Sequence, residues 1–148
     1  MGTQYSEVYE WFLKKVTYYS LEMLDDVDKE EVVNGFMKTA CARFKCCKVD
    51  LSKRDDELQM FADTLDDEML DIISETMVVA WLQPKLNNEE NLANALSTKD
   101  YSVYSPANLL DKISNVYEIA RKNSKKMIGN YSFEHGTLPK RGVRWKNF

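Results

Sequence analysis

The chain has only one histidine, His135, and only three cysteines, Cys41, Cys46 and Cys47, among its 148 residues. A catalytic triad based on histidine has only His135 to use, in a C-terminal segment where we expect no rigid framework to hold its geometry. Three cysteines, two of them adjacent, do not form a disulfide framework and indicate buried or half-buried thiols in a reducing compartment. Because the histidine lies far along the sequence from the cysteines, we expect no metal site and no cofactor.

Glycine and long apolar runs are also scarce. The five glycines are dispersed, so the chain has no glycine-rich loop that could cradle a phosphate. No apolar run approaches the ~20 residues that span a bilayer, and the N-terminus lacks the layout of a signal peptide, so we expect no membrane association. A hydrophobic content of 44% instead indicates one ordinary globular domain.

Acidic residues are present in number, but their spacing does not indicate chemistry. Asp26, Asp28 and Glu30 follow the first half of a calcium loop, yet the positions that need glycine and the final glutamate hold other residues. The acidic triplets at 55–57 and 66–68 each precede an apolar periodic run, where negative charge favours the helix dipole. We therefore interpret these carboxylates as helix starts and expect no enzyme.

Apolar residues at offsets of three and four predict an all-α fold, a bundle of about five helices without a sheet of consequence. In the third helix we expect Trp81 to be buried, Leu65 and Leu70 to form a hydrophobic staple around a cap at Asp66, and Pro84 to end or kink the helix. The last helix is expected to begin at Pro106 and to end at a C-cap glycine, Gly129. The longer helices are expected over 6–17, 28–45, 67–83 and 106–129, and short ones over 55–62 and 88–96.

The last nineteen residues differ from the rest, so the sequence divides into a helical domain, 1–129, and a C-terminal arm, 130–148. The arm carries a net charge of +3 within the total of −4, which leaves −7 for the domain. Disordered tails normally lack large aromatics, so this arm is expected to be loosely held alone and ordered on a partner. A polar loop, 97–105, also carries aromatics. The candidate partner-binding residues are Tyr101, Tyr104, Tyr131, Phe133, Arg141, Arg144, Trp145 and Phe148.

Several stretches resemble small structural proteins of tailed phages and prophages of Gram-positive bacteria. They are DLSKRDDELQMFADTLDDEML, MVVAWLQPKL, LSTKDYSVYSPANLL and NYSFEHGTL, and they cover most of 50–138. These phage proteins look like head–tail connectors, also called adaptors or neck proteins. The resemblance implies a compact helical domain that forms a ring, commonly of about twelve copies, beneath the portal protein. It implies C-terminal arms that dock on the portal, and a channel through which DNA passes without sequence-specific binding.

Two functions remain open at this stage. The first is a head–tail connector in the neck of a virion, assembled in the host cytoplasm and contacting the portal and the next neck or tail protein. Adaptor, stopper and tail-terminator roles are alternatives within it. The second is a cytosolic helical regulator or adaptor whose basic arm binds nucleic acid or an acidic partner. An acidic body repels nucleic acid, which disfavours binding through the domain itself. Deleting 130–148 is expected to leave stability nearly unchanged.

Overall fold

A computed structural model describes residues 2–22, 24, 30–87 and 106–135 of the chain. These residues form four helices and one short hairpin, so the predicted all-α fold class is confirmed for them. The elements in chain order are α1 Tyr5–Tyr18, α2 Glu30–Arg43, β1 Arg54–Asp55, β2 Met60–Phe61, α3 Asp67–Asn87 and α4 Pro106–Glu134.

Helix α3 lies at the centre and packs against each of the other three helices. It is buried on almost every side, as expected of a central helix, and the buried residues of its middle turns include the polar Ser74, Glu75 and Thr76 beside the apolar ones. Trp81 is 1% exposed, and its ring meets Phe12 of α1 edge to face at 5.4 Å between centroids. The prediction that Trp81 is a core residue is confirmed.

The start of α3 also agrees with the sequence. The Asp66 carboxylate accepts a hydrogen bond of 2.9 Å from the Met69 backbone N–H, as an N-cap does. Leu65 and Leu70, on either side of this cap, are both buried, which fits the predicted staple. Of the two outcomes predicted for Pro84, an end of the helix is wrong, because α3 continues through Pro84 to Asn87. A proline removes one N–H from the helix, and burial of the rest of α3 outweighs that cost of about 3 kcal/mol.

The short helix expected over 55–62 is wrong, since this segment contains the β1–β2 hairpin. Arg54 pairs with Phe61 and Asp55 with Met60 in an antiparallel register. The Asp55 side chain accepts the N–H groups of Glu57 and Leu58, so its carboxylate builds a turn and does not cap a helix. The N-terminal segment extends this small sheet: Phe61 N–H donates to the Thr3 carbonyl at 2.8 Å and Tyr5 N–H to the Gln59 carbonyl at 2.8 Å.

Helix α4 begins at Pro106 as predicted, but its predicted end at Gly129 is wrong, because it runs on to Glu134. Tyr131 holds the last turn in place, with 0% exposure and its ring edge-on to Phe44 at 4.9 Å between centroids. Its hydroxyl accepts a 3.1 Å hydrogen bond from the Lys48 backbone N–H. The first residues of the predicted arm therefore belong to the helical domain.

Other predictions fall partly or wholly outside the described residues. These include the expected cap at Asp28, the short helix over 88–96, the loop with Tyr101 and Tyr104, and the remainder of the arm from Gly136 onward. Among the described helices, none combines the length and the apolar character that a membrane span requires.

Candidate functional site: a groove with a basic rim

A groove on the described surface lies between the end of α2, the middle of α3 and the second half of α4. Its volume is about 680 Å³, within the range of pockets that hold a drug-sized ligand or several side chains of a partner. We call it the basic groove. It is lined by Arg43, Lys45, Cys46, Thr76, Val79, Gln83, Tyr117, Arg121, Ser124, Lys125, Ile128, Gly129 and Ser132.

The charges of the basic groove are of one sign. Four of its described lining residues are basic and none is acidic, although the chain as a whole carries a net charge of −4. Two of the cations are oriented by neighbours: Arg121 pairs with Glu118 at 3.0 Å, and Arg43 donates to the Gln83 side-chain oxygen at 3.3 Å. A concave surface with cations around its edge attracts an acidic partner more strongly than isolated charges do.

The floor of the basic groove is rigid. The hydroxyls of Thr76 in α3 and Ser124 in α4 are hydrogen-bonded at 2.7 Å and both residues are buried. Thr76 also contacts the Ile72 carbonyl oxygen at 2.8 Å, so each hydroxyl has a partner. On the other wall the Cys46 thiol lies 3.7 Å from the Ile128 carbonyl oxygen. These bonds fix the spacing of the helices and hence the width of the groove.

Gly129 keeps the groove open at one end. It lies inside α4, one turn from the end, where glycine costs roughly 0.5–1 kcal/mol relative to alanine. A Cβ atom at this position would meet nothing within 4 Å, so no tight packing requires the glycine. The missing side chain leaves free volume at the groove. Gly129 was predicted to be a C-cap, but its structural effect is this open space.

A second cleft, between α1 and α2, has the opposite charge. We call it the acidic cleft, and its volume is about 270 Å³. Leu13 is 42% exposed beside it, and Glu10 and Glu30 supply its charges. Burial first, and then the charges of Glu30 and Asp56, raise the pKa of Tyr9 to about 12. Its described lining residues are Ser6, Tyr9, Glu10, Phe12, Leu13, Glu30 and Val33.

A cluster of ionisable groups links α1 to α3 and is the described arrangement that most resembles a catalytic centre. Lys15 of α1 forms salt bridges with Asp71 and with the buried Glu75, and the Tyr19 hydroxyl donates to Glu75. Burial disfavours the charged Lys15, but the hydrogen bond to Asp71 and the charge of Glu75 outweigh it, so the pKa of Lys15 is raised. A catalytic lysine needs a lowered pKa, so we interpret this cluster as a structural connection between the helices.

The predicted partner-binding residues are divided by the structure. Tyr131 is buried and cannot contact a partner without unfolding the end of α4, whereas Phe133 is 66% exposed. Tyr101, Tyr104, Arg141, Arg144, Trp145 and Phe148 lie outside the described residues. Sequence reasoning missed the basic groove. A sequence signal for it exists, since Arg121, Lys125 and Gly129 follow one another at intervals of four and so share a face of α4.

Comparisons with protein-family models, with curated proteins and with solved structures gave no significant match.

Proposed function

We propose that this chain is a non-enzymatic assembly protein, and specifically a head–tail connector that forms a ring in the neck of a tailed phage. The observation that supports assembly most directly is the presence of two apolar surfaces of opposite charge on one molecule, the basic groove and the acidic cleft. The phage setting, the ring beneath the portal and the virion location rest on the sequence resemblance.

The two surfaces lie toward opposite ends of α2. Val33, in the first turn of α2, lines the acidic cleft, and Arg43, its last residue, lines the basic groove. Ten residues of helix separate them by ~15 Å. A contact between two different surfaces of identical subunits is heterologous, and it closes into a ring when the rotation between neighbours divides a full turn. In this proposal the acidic cleft of one copy docks on the basic groove of the next.

The remaining acidic surface suits a DNA channel, because weak repulsion lets the duplex slide without adhering. The basic residues of the tail beyond His135 would contact the portal or the next neck protein. A regulator that binds nucleic acid through the tail is the alternative, and it predicts a monomer or a dimer.

A charge-reversal experiment tests the assembly. Replacing all four groove cations, Arg43, Lys45, Arg121 and Lys125, with Glu reverses the charge of the groove, and Glu10→Lys with Glu30→Lys reverses that of the cleft. Each set alone should leave monomers in native mass spectrometry and light scattering, because like charges then face each other. The variant that carries both sets should recover the oligomer, because the charges are again complementary.

Lys122→Glu with Glu57→Lys is the matched control, since both residues are exposed and neither lines the two surfaces. This control should assemble like the unaltered chain. A chain that stays monomeric at high concentration with the portal present would contradict the proposal, as would a variant with both sets reversed that remains folded and fails to assemble.

A further inference from the structure

The end of α4 meets the beginning of α3 through three side chains that are typical metal ligands. Glu68 lies in the first turn of α3, and Glu134 and His135 lie at the end of α4. One ligand atom from each residue can be chosen so that all three lie within 4.8 Å of one another. The residues come from opposite halves of the sequence, and the folding of α4 against α3 is what brings them together.

We propose that Glu68, Glu134 and His135 form a binding site for a divalent transition-metal ion such as Zn²⁺. We call it the helix-end site. The proposal concerns a surface other than the basic groove and the acidic cleft, and it does not depend on the proposed function.

The separations suit such an ion. Zinc binds imidazole nitrogen and carboxylate oxygen at ~2.0–2.2 Å, which places two ligand atoms of a tetrahedral site roughly 3.3–3.5 Å apart. His135 Nε2 and Glu68 Oε1 are already 3.1 Å apart. Glu134 is exposed, so its carboxylate has room to move the remaining distance.

The imidazole is held in place before any ion binds. Its ring lies against the Tyr131 ring, with 4.1 Å between centroids and 35° between the planes. Tyr131 is itself fixed by burial and by the hydrogen bond from Lys48. The His135 backbone N–H donates to the Tyr131 carbonyl oxygen at 3.0 Å, so the residue continues the helical turn. Such ordering lowers the entropy lost when the ion binds.

The ligand set selects the class of ion. Two carboxylates and one imidazole favour borderline ions, Zn²⁺, Co²⁺ or Ni²⁺, over Ca²⁺ and Mg²⁺, which prefer oxygen alone. A dication would neutralise the two carboxylates. Three protein ligands also leave a coordination position for water or for a ligand from a partner. A bound ion would tie the start of α3 to the end of α4, immediately before the tail.

The test is a titration of the full chain with Co²⁺ and with Zn²⁺, followed by calorimetry and by visible absorption of Co²⁺. We expect one ion per chain, and an affinity reduced at least about tenfold by Glu68→Gln, by Glu134→Gln or by His135→Gln. Zn²⁺ should also raise the melting temperature of the unaltered chain but not that of the His135→Gln variant, because only the former binds it in the folded state.

Two controls separate this site from other sources of binding. Cys46→Ser with Cys47→Ser should retain the affinity, and the Co²⁺ spectrum should lack a thiolate charge-transfer band. Glu57→Gln, an exposed carboxylate elsewhere, should also retain it. Absence of binding at submillimolar metal, loss of binding in the cysteine variant, or full affinity in the His135→Gln variant would overturn the proposal.

Discussion

Single residues of the core were the most predictable part of this chain, and Trp81 is the clearest case. It lies on the apolar stripe of α3 and is fully packed against Phe12. Trp81→Ala removes that contact and leaves a cavity, so we expect a loss of about 3–5 kcal/mol in the free energy of unfolding. Urea denaturation measures it. A loss below ~1 kcal/mol, with partner binding abolished, would show that Trp81 serves binding and not the core.

Gly129 gives a prediction of the opposite sign. Because a Cβ atom there meets nothing within 4 Å and the residue is inside a helix, Gly129→Ala should stabilise the chain by roughly 0.5–1 kcal/mol. Gly129→Trp should keep the fold but fill one end of the basic groove and weaken assembly. Thermal unfolding and light scattering of the two variants separate the effects. Destabilisation by alanine would contradict the open space around this position.

The same residue shows where sequence reasoning about single positions failed. Glycine after a periodic run is a typical C-cap, and by that rule α4 ends at Gly129. The rule failed because Tyr131, two residues later, fills a space against Phe44 and repays the extension of the helix by one more turn. That space lies beside Phe44, just after α2 and distant in sequence, and no local pattern in α4 contains it.

At the scale of elements, α1, α3 and the start of α4 follow from their own periodicity, whereas the hairpin does not. Its strands contain two residues each, so no alternating pattern exists to find, and Asp55 serves helix caps and turns equally well. Pairing with the N-terminal segment decides the outcome, through Gln4 beside Met60. The basic groove was missed for a related reason, since it combines three helices that are separate in sequence.

The connection between α1 and α3 leads to a further prediction about elements. Glu75 is buried and forms a salt bridge with Lys15. Without Lys15, the Glu75 carboxylate would keep its charge and would have the Tyr19 hydroxyl as its main hydrogen-bond donor. Lys15→Met should therefore lower the free energy of unfolding by about 3 kcal/mol, as for other broken buried pairs. The double variant with Glu75→Gln should lose less than the sum of the single variants. Additive losses in this double-mutant cycle would contradict a direct interaction.

Alkaline pH should destabilise the whole molecule. Burial raises the pKa of Cys41 to about 11, and burial together with nearby acids raises that of Tyr9 to about 12. The pKa of Lys15 is also raised, through Asp71 and Glu75 against the effect of burial. A raised folded-state pKa gives stability that is complete below the unfolded-state value and is lost as pH rises through the folded-state value. The losses should begin near pH 9 for Cys41, near pH 10 for Tyr9 and near pH 10.5 for Lys15.

Denaturant unfolding from pH 8 to pH 12 measures this dependence. Tyr9→Phe should make the free energy of unfolding depend less steeply on pH above ~pH 10, because the unfolded chain no longer releases the proton of this tyrosine there. A stability that is constant over the whole interval would show that these groups titrate alike in the folded and unfolded chains.

Two truncations divide the molecule into body and tail. Deleting 130–148 removes the buried Tyr131 from the core, so in place of unchanged stability we now expect a loss of about 3–5 kcal/mol. Deleting 136–148 retains Tyr131 and should leave the melting temperature nearly unchanged while abolishing attachment to the portal. Calorimetry and co-sedimentation with the portal measure the two effects. Normal attachment by the shorter truncation would remove the tail from the proposed function.

The N-terminal strand beside the hairpin constrains the order in which the chain folds. Thr3 and Tyr5 bond to residues 59–63, so this pairing closes a loop of more than fifty residues. On a ribosome, α1 cannot complete its contacts until the hairpin has left the exit tunnel, well after its own helical turns have formed. Closing so long a loop is slow relative to helix formation. We therefore expect this pairing to form late, after the chain has collapsed and α1 has packed against α3. Thr3→Pro removes the N–H that donates to the Asp63 carbonyl oxygen at 3.2 Å. Because this bond is expected to form late, the substitution should accelerate unfolding much more than it slows folding.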